Sequence, residues 1–244
     1  MCKYYIKKKL ISTLILVSLV ICLSGCSLSQ MGALPETGDT DAYAADFATA
    51  DIPEYSGRPY AYVNGGVPNF TADDLTTEPF EIYSDLDWLG RCGVAYVNIC
   101  MEMMPTDERG SIGMIKPSGW NQEKYPGIVD SDPPYLYNRC HLIGYQLSGE
   151  NAHEKNLITG TSYLNVEGML PCENMLADYV RRTGNHVLYR VTPIFEGLEL
   201  VARGVLMEAM SVEDNGAGIL FNIYCYNVQP GIVIDYVTGE NRLQ

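Results

Sequence analysis

Basic residues are scarce in this sequence. Its 244 residues contain 16 Lys and Arg against 30 Asp and Glu, which gives a formal net charge of −14. Proteins that bind nucleic acid without sequence preference gain most of their affinity from Lys and Arg at phosphate groups. The shortage of Lys and Arg argues against non-specific electrostatic binding to a polyanion. We therefore expect a local basic cleft, a metal ion that offsets the acidic charge, and modest affinity for such a partner.

The acidic residues are unevenly distributed. Residues 26–90 hold twelve acids and one base, Arg58, whereas residues 91–244 hold eighteen acids and eleven bases. The excess is therefore heaviest in the N-terminal part. The remainder of the chain is only mildly acidic, and it is there that we expect chemistry on an anionic substrate.

Metal-binding cysteine spacings and internal repeats are also lacking. None of the eight Cys residues forms a Cys-x-x-Cys pair, which argues against a zinc cluster of that kind. No repeat of 20–50 residues is visible, which excludes a solenoid. Five cysteines follow residue 26, and we expect most of them to be buried as small apolar residues: Cys92, Cys100, Cys140, Cys172 and Cys225. One disulfide is possible, with its pairing left open.

The N-terminus has the pattern of an export signal. Four Lys residues precede the uncharged apolar run Leu10–Leu23, which is short for a membrane span. Leu23-Ser-Gly-Cys26 resembles a bacterial lipobox, which predicts a signal peptide over residues 1–25 and a lipid anchor on Cys26. The alternative is an ordinary signal peptide cleaved nearby. Both place the mature chain outside the cytoplasm, and the low-complexity residues 26–51 are typical of a flexible tether.

The rest of the chain predicts an α+β fold. We expect an N-terminal arm over residues 52–84 and one domain over residues 85–244, built on a mostly antiparallel sheet flanked by helices. Val94–Cys100 is nearly all apolar and predicts a central strand. The β-rich runs that begin at His186, Glu199 and Gly218 are separated by turn residues and predict an antiparallel meander.

Two segments in the middle of the chain predict helix. Pro171–Arg182 has apolar residues at helical spacing, basic residues at its end and Gly184 just beyond it. Thr159–Val166 is expected to be helical or to lead into that helix.

The residues best suited to chemistry are concentrated just before this helix. They are Asn138-Arg139-Cys140-His141, then Asn156-Leu-Ile-Thr, then Leu164-Asn165-Val-Glu-Gly-Met, and Glu173. A His side chain can take a proton from water near neutral pH. An Arg side chain can hold a phosphate with its planar donors, and an Asn oxygen is a suitable Mg²⁺ ligand. Together these groups predict metal-assisted hydrolysis of a phosphodiester.

As an ordered set these segments resemble the DNA/RNA non-specific endonucleases, which are ββα-metal or His-Me finger nucleases. The resemblance runs from about Asp85 to the C-terminus. The family motif Asp-Arg-Gly-His reads Asn-Arg-Cys-His here, so Asn138 and Cys140 depart from it. The resemblance implies a ββα finger carrying the active site, and products with 5′-phosphates.

The resemblance also implies a role for each matching residue. His141 is the general base, Asn165 the direct ligand of Mg²⁺ (with Mn²⁺ as an alternative ion), and Glu173 the carboxylate that orients water at the metal. Asn156 supports the site. Arg139 either holds phosphate or braces the finger internally.

Several further cations are candidates for binding phosphate. Arg109 and Lys116 belong to a glycine-rich stretch that ends in Lys116-Pro-Ser-Gly-Trp120. In the family this segment lies beside the substrate groove, and the alternative is a surface loop with one packed Trp. A family Arg four residues after the Glu is replaced by Ala177, and Arg181 or Arg182 is a candidate substitute.

Two other functions compete with this hypothesis. The first is a Cys-His hydrolase that uses Cys140 or Cys225, although adjacent side chains on a strand point to opposite faces. The second is a surface lipoprotein that binds DNA and does not cleave it. We favour an extracytoplasmic, membrane-anchored or secreted, Mg²⁺-dependent endonuclease that acts on DNA and RNA without sequence preference. No obligate protein partner is evident from the sequence.

Overall fold

A computed structural model describes residues 52–244. The predicted signal peptide, the predicted lipid anchor on Cys26 and the predicted tether lie outside these residues. Among the described helices, none has the length and apolar character needed to cross a membrane.

The described chain folds into ten strands and two α-helices. The strands are β1 (Tyr60–Tyr62), β2 (Phe80–Tyr83), β3 (Ala95–Ile99), β4 (Tyr137–His141), β5 (Leu157–Thr161), β6 (Val187–Ile194), β7 (Gly204–Ser211), β8 (Leu220–Tyr226), β9 (Ile232–Ile234) and β10 (Asn241–Leu243). The helices are α1 (Tyr145–Ser148) and α2 (Leu170–Thr183), and a π-helical segment, Leu164–Met169, leads directly into α2. Short 3₁₀ turns occur at Asn64–Gly66, Met101–Met103 and Glu154–Asn156.

Six strands form one antiparallel sheet in the order β1-β8-β7-β6-β3-β2. β6, β7 and β8 are consecutive neighbours, so the predicted meander is confirmed. β3 lies inside the sheet and all five of its residues are buried, as expected for the central strand. With helix α2 and the hairpin β4–β5, the architecture is the predicted α+β fold.

Residues 52–84, expected to form an arm, supply both outer strands of the sheet, β1 and β2. The segment between these two strands covers one face of the sheet. There the Arg190 and Glu208 side chains form a buried ion pair at 2.8 Å, and Glu208 also accepts the Asn69 backbone N–H at 2.8 Å. The hydrogen bond from Asn69 to this buried pair ties the segment to the sheet.

The opposite face of the sheet carries the ββα unit. β4 pairs antiparallel with β5, with Cys140 opposite Ile158 and His141 opposite Leu157. Cys140 and Ile158 share one apolar core with the inward residues of β3, β6, β7 and β8, and with Leu176 and Val180 of α2. The main core thus anchors the hairpin and the helix that carry the candidate site.

Two predicted elements are placed differently in the structure. Thr159–Thr161, expected to be helical, belong to β5, because pairing with β4 and the β-branched threonines favour a strand. The strand expected from Glu199 begins only at Gly204. Before Gly204, the Glu199 carboxylate accepts hydrogen bonds from the Glu196 backbone N–H at 3.1 Å and from Nε of Arg203 at 2.9 Å. These bonds hold residues 196–203 in a turn.

Helix α2 follows its local sequence signals. Pro171 lies in the first turn of α2, and Arg181 and Arg182 lie in the last turn. Gly184 ends the helix with φ of 74°, a left-handed conformation that glycine adopts without steric cost. The predicted helix is therefore confirmed.

Candidate active site

The candidate site is a cleft of about 880 Å³ bounded by strand β4, the start of helix α2 and the loop at residues 109–122. His141, Arg139, Asn165, Glu173 and Arg109 all line it. The fold therefore brings together five of the residues that the sequence singled out, from positions as far apart as 109 and 173.

His141 is the last residue of β4, and its ring is held from both sides. Its Nε2 lies 2.8 Å from the Asn151 carbonyl oxygen, and its Nδ1 lies 3.1 Å from Nη2 of Arg109. A carbonyl only accepts and a guanidinium only donates, so Nε2 carries the hydrogen and Nδ1 carries the lone pair. The ring therefore presents a proton-accepting nitrogen on the side of Arg109, which lines the cleft.

Burial keeps this ring neutral. The side chain is 7% exposed, and its desolvation lowers the pKa of His141 from 6.5 to about 4. The hydrogen bond to Asn151 opposes this shift of the pKa, and the positive charge of Arg109 adds to it. The imidazole is thus an unprotonated base throughout the neutral pH range.

An ordinary imidazole loses its charge between pH 5 and 8, and a base of that kind would make activity rise over this range. The lowered pKa of His141 moves the rise to lower pH. A base works when deprotonated, so its contribution is complete above its pKa and falls as the pH drops below about 4. We expect the ring signals of His141, assigned by comparison with His141→Ala in an NMR titration, to move with a midpoint near pH 4. A midpoint between 6 and 7 would show that the ring is not desolvated as its burial indicates.

Glu173 faces the cleft from the first turn of α2 with an 8% exposed side chain. Burial raises the pKa of this carboxyl from 4.5 to about 7, while the Gly144 N–H and the charge of Arg109 act in the opposite direction. A Cβ at position 144 would lie 2.6 Å from Glu173 Oε2. Gly144 is therefore the residue that gives the carboxylate room beside the backbone.

We predict that Glu173→Gln stabilises the protein at alkaline pH. Because the folded-state pKa is raised, the stability linked to this carboxyl is complete below pH 4.5 and is lost as the pH rises through about 7. Glutamine removes that loss, so the variant should gain up to about 3 kcal/mol in free energy of unfolding at pH 8, and little at pH 4.5. Urea unfolding in EDTA at both pH values measures this. Equal destabilisation at both would refute it.

Asn165 lies in the π-helical segment, and its side chain borders the cleft. Within residues 52–244 its amide has no hydrogen-bond partner, so its oxygen is available as a ligand. Nowhere in that range do three His, Cys, Asp or Glu side chains cluster as a metal site. A single neutral oxygen with one carboxylate nearby fits an ion such as Mg²⁺, which keeps most of its water. The extra residue of a π-helical turn is often found at functional sites.

Arg139 braces the cleft wall. Its Nη2 donates to the Gly113 carbonyl at 2.9 Å, its Nε donates to the Ile115 carbonyl, and its guanidinium stacks 4.2 Å from the centre of the Trp120 ring. These contacts tie β4 to the loop at residues 113–120, so Arg139 braces the finger from outside it, which differs from the internal brace expected from the sequence. They also place Trp120 at the cleft, as expected for a segment beside a substrate groove.

Asn156 is fully buried and outside the cleft lining. Its Oδ1 accepts the Ile143 backbone N–H at 2.8 Å, and its Nδ2 donates to the Ile143 carbonyl at 3.0 Å. These bonds hold the chain that leaves His141, which fits a supporting role.

The other predicted phosphate ligands lie elsewhere. Lys116 is exposed beside a smaller cleft that it shares with Glu154, and Arg181 and Arg182 are exposed at the far end of α2. Ala177 is buried in the core. Binding by Lys116, Arg181 or Arg182 therefore stays a prediction.

The expected basic cleft is not found. Two arginines and two carboxylates line the described cleft: Arg109, Arg139, Asp132 and Glu173. Arg139 is already bound to backbone carbonyls, so Arg109 is the arginine left for an anion. The side chains alone do not make this cleft attractive to phosphate, and a bound cation would.

The thiol hypothesis conflicts with the structure. Cys140 and Cys225 are fully buried in the core, and burial raises the pKa of both thiols. Cys140 packs against Gly160 on β5, where a Cβ would lie 2.3 Å from the sulfur. All five described cysteines are free, so the possible disulfide is absent from residues 52–244.

Thiol-blocking reagents should accordingly leave activity unchanged. Cys172 is the one described cysteine that is only half-buried, and burial raises the pKa of its thiol to about 11. Iodoacetamide at neutral pH should therefore react slowly, and cleavage rates before and after treatment should agree. Loss of activity in proportion to alkylation would support a cysteine enzyme instead.

Some contributors to the site had no clear sequence signal. Asn151 orients His141 through its backbone carbonyl, which any residue type could supply. Gln122 pairs with the backbone of Tyr137, accepting its N–H at 2.9 Å, and so fixes the loop to β4. The glycine in His141-Leu-Ile-Gly144 was the one available hint, since glycine permits close approach of a side chain.

The hairpin β4–β5 followed by α2, with a histidine at the end of β4, is the architecture of the ββα-metal nucleases. A family model of DNA/RNA non-specific endonucleases matches residues 71–213, and the chain belongs to that family.

Individual relatives agree with this assignment. A deoxyribonuclease from Streptococcus dysgalactiae subsp. equisimilis is 31% identical over 111 residues, which is 43% of this chain and 32% of the relative. The match thus spans about a third of that protein. Sda1 nuclease with bound zinc ion is 26% identical with a TM-score of 0.62, covering 77% of this chain and 97% of that one.

NucA from Streptococcus agalactiae shares the fold. Its magnesium-bound structure is 23% identical with a TM-score of 0.67, covering 81% of this chain and 94% of NucA. Its metal-free structure gives the same TM-score at 24% identity, covering 81% and 92%.

Proposed function

We propose that this protein is a metal-dependent endonuclease that hydrolyses phosphodiester bonds of DNA and RNA without sequence preference. The observation that carries the proposal is the His141 ring, whose unprotonated Nδ1 lies on the side of Arg109 in a cleft that Asn165 and Glu173 also line. Deoxyribonuclease and nuclease activity are named for the relatives, and family membership makes the same chemistry the natural expectation here.

The chain's own residues account for the proton transfer. Nδ1 of His141 takes a proton from the water that attacks phosphorus, and the Asn151 carbonyl stabilises the resulting imidazolium through Nε2–H. Glu173, when ionised, accepts a hydrogen bond from water in the cleft. Arg109 donates to a phosphate oxygen. The water oxygen becomes part of a 5′-phosphate product, and the P–O3′ bond breaks, with the leaving 3′ oxygen taking a proton from water in the cleft.

The proposed metal ion follows from the oxygen atoms that Asn165 and Glu173 offer in the cleft. Asn165 would hold Mg²⁺, with Mn²⁺ as an alternative, and Glu173, which lines the same cleft, would orient water bound to the ion. When bound, such an ion offsets negative charge on the phosphate and on the leaving oxygen. It also supplies the positive charge that the balanced cleft lacks.

We expect the enzyme to accept DNA and RNA of any sequence, because it contacts the phosphate backbone of the substrate rather than the bases. The cleft offers a few phosphate-binding groups, and contacts to the phosphate backbone carry no sequence information. Digestion of random-sequence DNA and of RNA, with the cut ends sequenced, tests this. Strong preference for one sequence, or inactivity on all RNA, would limit the proposal to a narrower enzyme.

We also propose that Cys26 carries a lipid that anchors the enzyme outside the cytoplasm. The support is Leu23-Ser-Gly-Cys26 directly after an apolar export signal. In a bacterial host, wild type should partition into detergent extracts of membranes, and Cys26→Ser should appear in the medium. If both proteins are found in the medium, the chain is secreted without an anchor.

A further inference from the structure

The lone pair that the proposed mechanism needs is already engaged in the resting protein. Nη2 of Arg109 lies 3.1 Å from Nδ1 of His141. A neutral imidazole nitrogen accepts one good hydrogen bond in the plane of its ring. Water cannot lie at the same place until the guanidinium leaves, so the base at rest is capped.

Arg109 is free to leave. It is exposed, and among the described residues its guanidinium has no other hydrogen bond and no carboxylate within ion-pair distance. Arg139, in the same cleft, is instead fixed by the carbonyls of Gly113 and Ile115. Arg139 is therefore held in place by its hydrogen bonds, whereas Arg109 can move away from His141.

A phosphate is a better partner for Arg109 than an imidazole. Hydrogen bonds between a guanidinium and an anionic oxygen are charge-assisted and can be bidentate, whereas Nδ1 offers one neutral acceptor. A nucleic-acid backbone in the cleft brings several phosphates, so one of them can hold Arg109 while another is cleaved.

We propose that Arg109 is a substrate-operated cap on the general base. At rest it covers Nδ1 of His141, and a phosphate neighbouring the scissile one draws it away, which frees the nitrogen for water. The inference rests on the proposed function, because it assigns His141 as the base. It predicts that polymeric nucleic acid activates its own cleavage, whereas a single small diester does not.

The cap is tested first without any substrate. Diethyl pyrocarbonate acylates an unprotonated imidazole nitrogen, and Nε2 of His141 is engaged with Asn151. Acylation of His141 at neutral pH, obtained by subtracting the His141→Ala signal, should be about 10-fold faster in Arg109→Met than in wild type. Arg242→Ala, which removes an exposed arginine of β10, should match wild type. Equal rates in wild type and Arg109→Met would overturn the cap.

The second arm uses bis(p-nitrophenyl) phosphate, a diester with one phosphate. Arg109→Met should hydrolyse it about 10-fold faster than wild type, yet cut plasmid DNA more slowly because the phosphate contact is lost. If Arg109→Met instead loses activity on both substrates, Arg109 only binds substrate, and the proposal is overturned. If wild type cleaves neither substrate, the proposed nuclease function fails instead, and the acylation rates still decide whether the cap exists.

Discussion

His141→Ala is expected to cleave nucleic acid about 10³-fold more slowly than wild type while folding normally and binding DNA with similar affinity. The reason is that Nδ1 is the unprotonated nitrogen on the cleft side of the ring, and no second histidine lines the described cleft. Initial rates on plasmid DNA under saturating Mg²⁺ measure the loss, and fluorescence anisotropy measures binding.

His186→Ala is the matched control for this variant. His186 lies just before β6, where its Nδ1 is 2.6 Å from the Glu213 carboxylate, and it does not line the cleft. The control should cleave at the wild-type rate. The assignment of His141 as the base fails if its alanine variant retains more than about a tenth of the activity.

Asn165→Ala is expected to lose activity by about 10²-fold or more at millimolar Mg²⁺, because it removes the proposed metal ligand. Asn165→Asp keeps an oxygen at the same place and should recover part of the rate, with a lower Mg²⁺ requirement. The measurement is the cleavage rate as a function of Mg²⁺ concentration for each variant.

Asn174→Ala controls for loss of an amide from the cleft. Asn174 lines the same cleft from α2, and its Oδ1 accepts a 2.9 Å hydrogen bond from Gln146. Its alanine variant should keep the wild-type Mg²⁺ dependence. If Asn165→Ala and Asn174→Ala behave alike, Asn165 is not the metal ligand.

The elements that could be predicted are those with strong local signals. Helix α2 has Pro171 near its start and Gly184 just after its end, and the glycine sets its C-terminal bound through backbone chemistry alone. The meander β6–β8 has turn residues between β-rich runs. The main site residues could be named because their order along the chain resembles one family.

The elements that could not be predicted depend on tertiary partners. Thr159–Thr161 form a strand only because β4 lies alongside. The contact between Arg109 and His141 spans 32 positions of sequence, and the brace from Arg139 to Gly113 spans 26. Sequence offers arginines as phosphate ligands, but only the three-dimensional arrangement distinguishes a brace, a cap and exposed residues such as Arg181.

Digestion of supercoiled plasmid by residues 27–244 is the most direct measurement of the proposed metal-dependent cleavage. In Mg²⁺ we expect nicking and then a continuous smear without discrete bands, and EDTA should abolish both. RNA should be degraded under the same conditions. Tight DNA binding with no cleavage in Mg²⁺ or Mn²⁺ would refute the proposed nuclease activity, and would identify the protein as a receptor built on a nuclease fold.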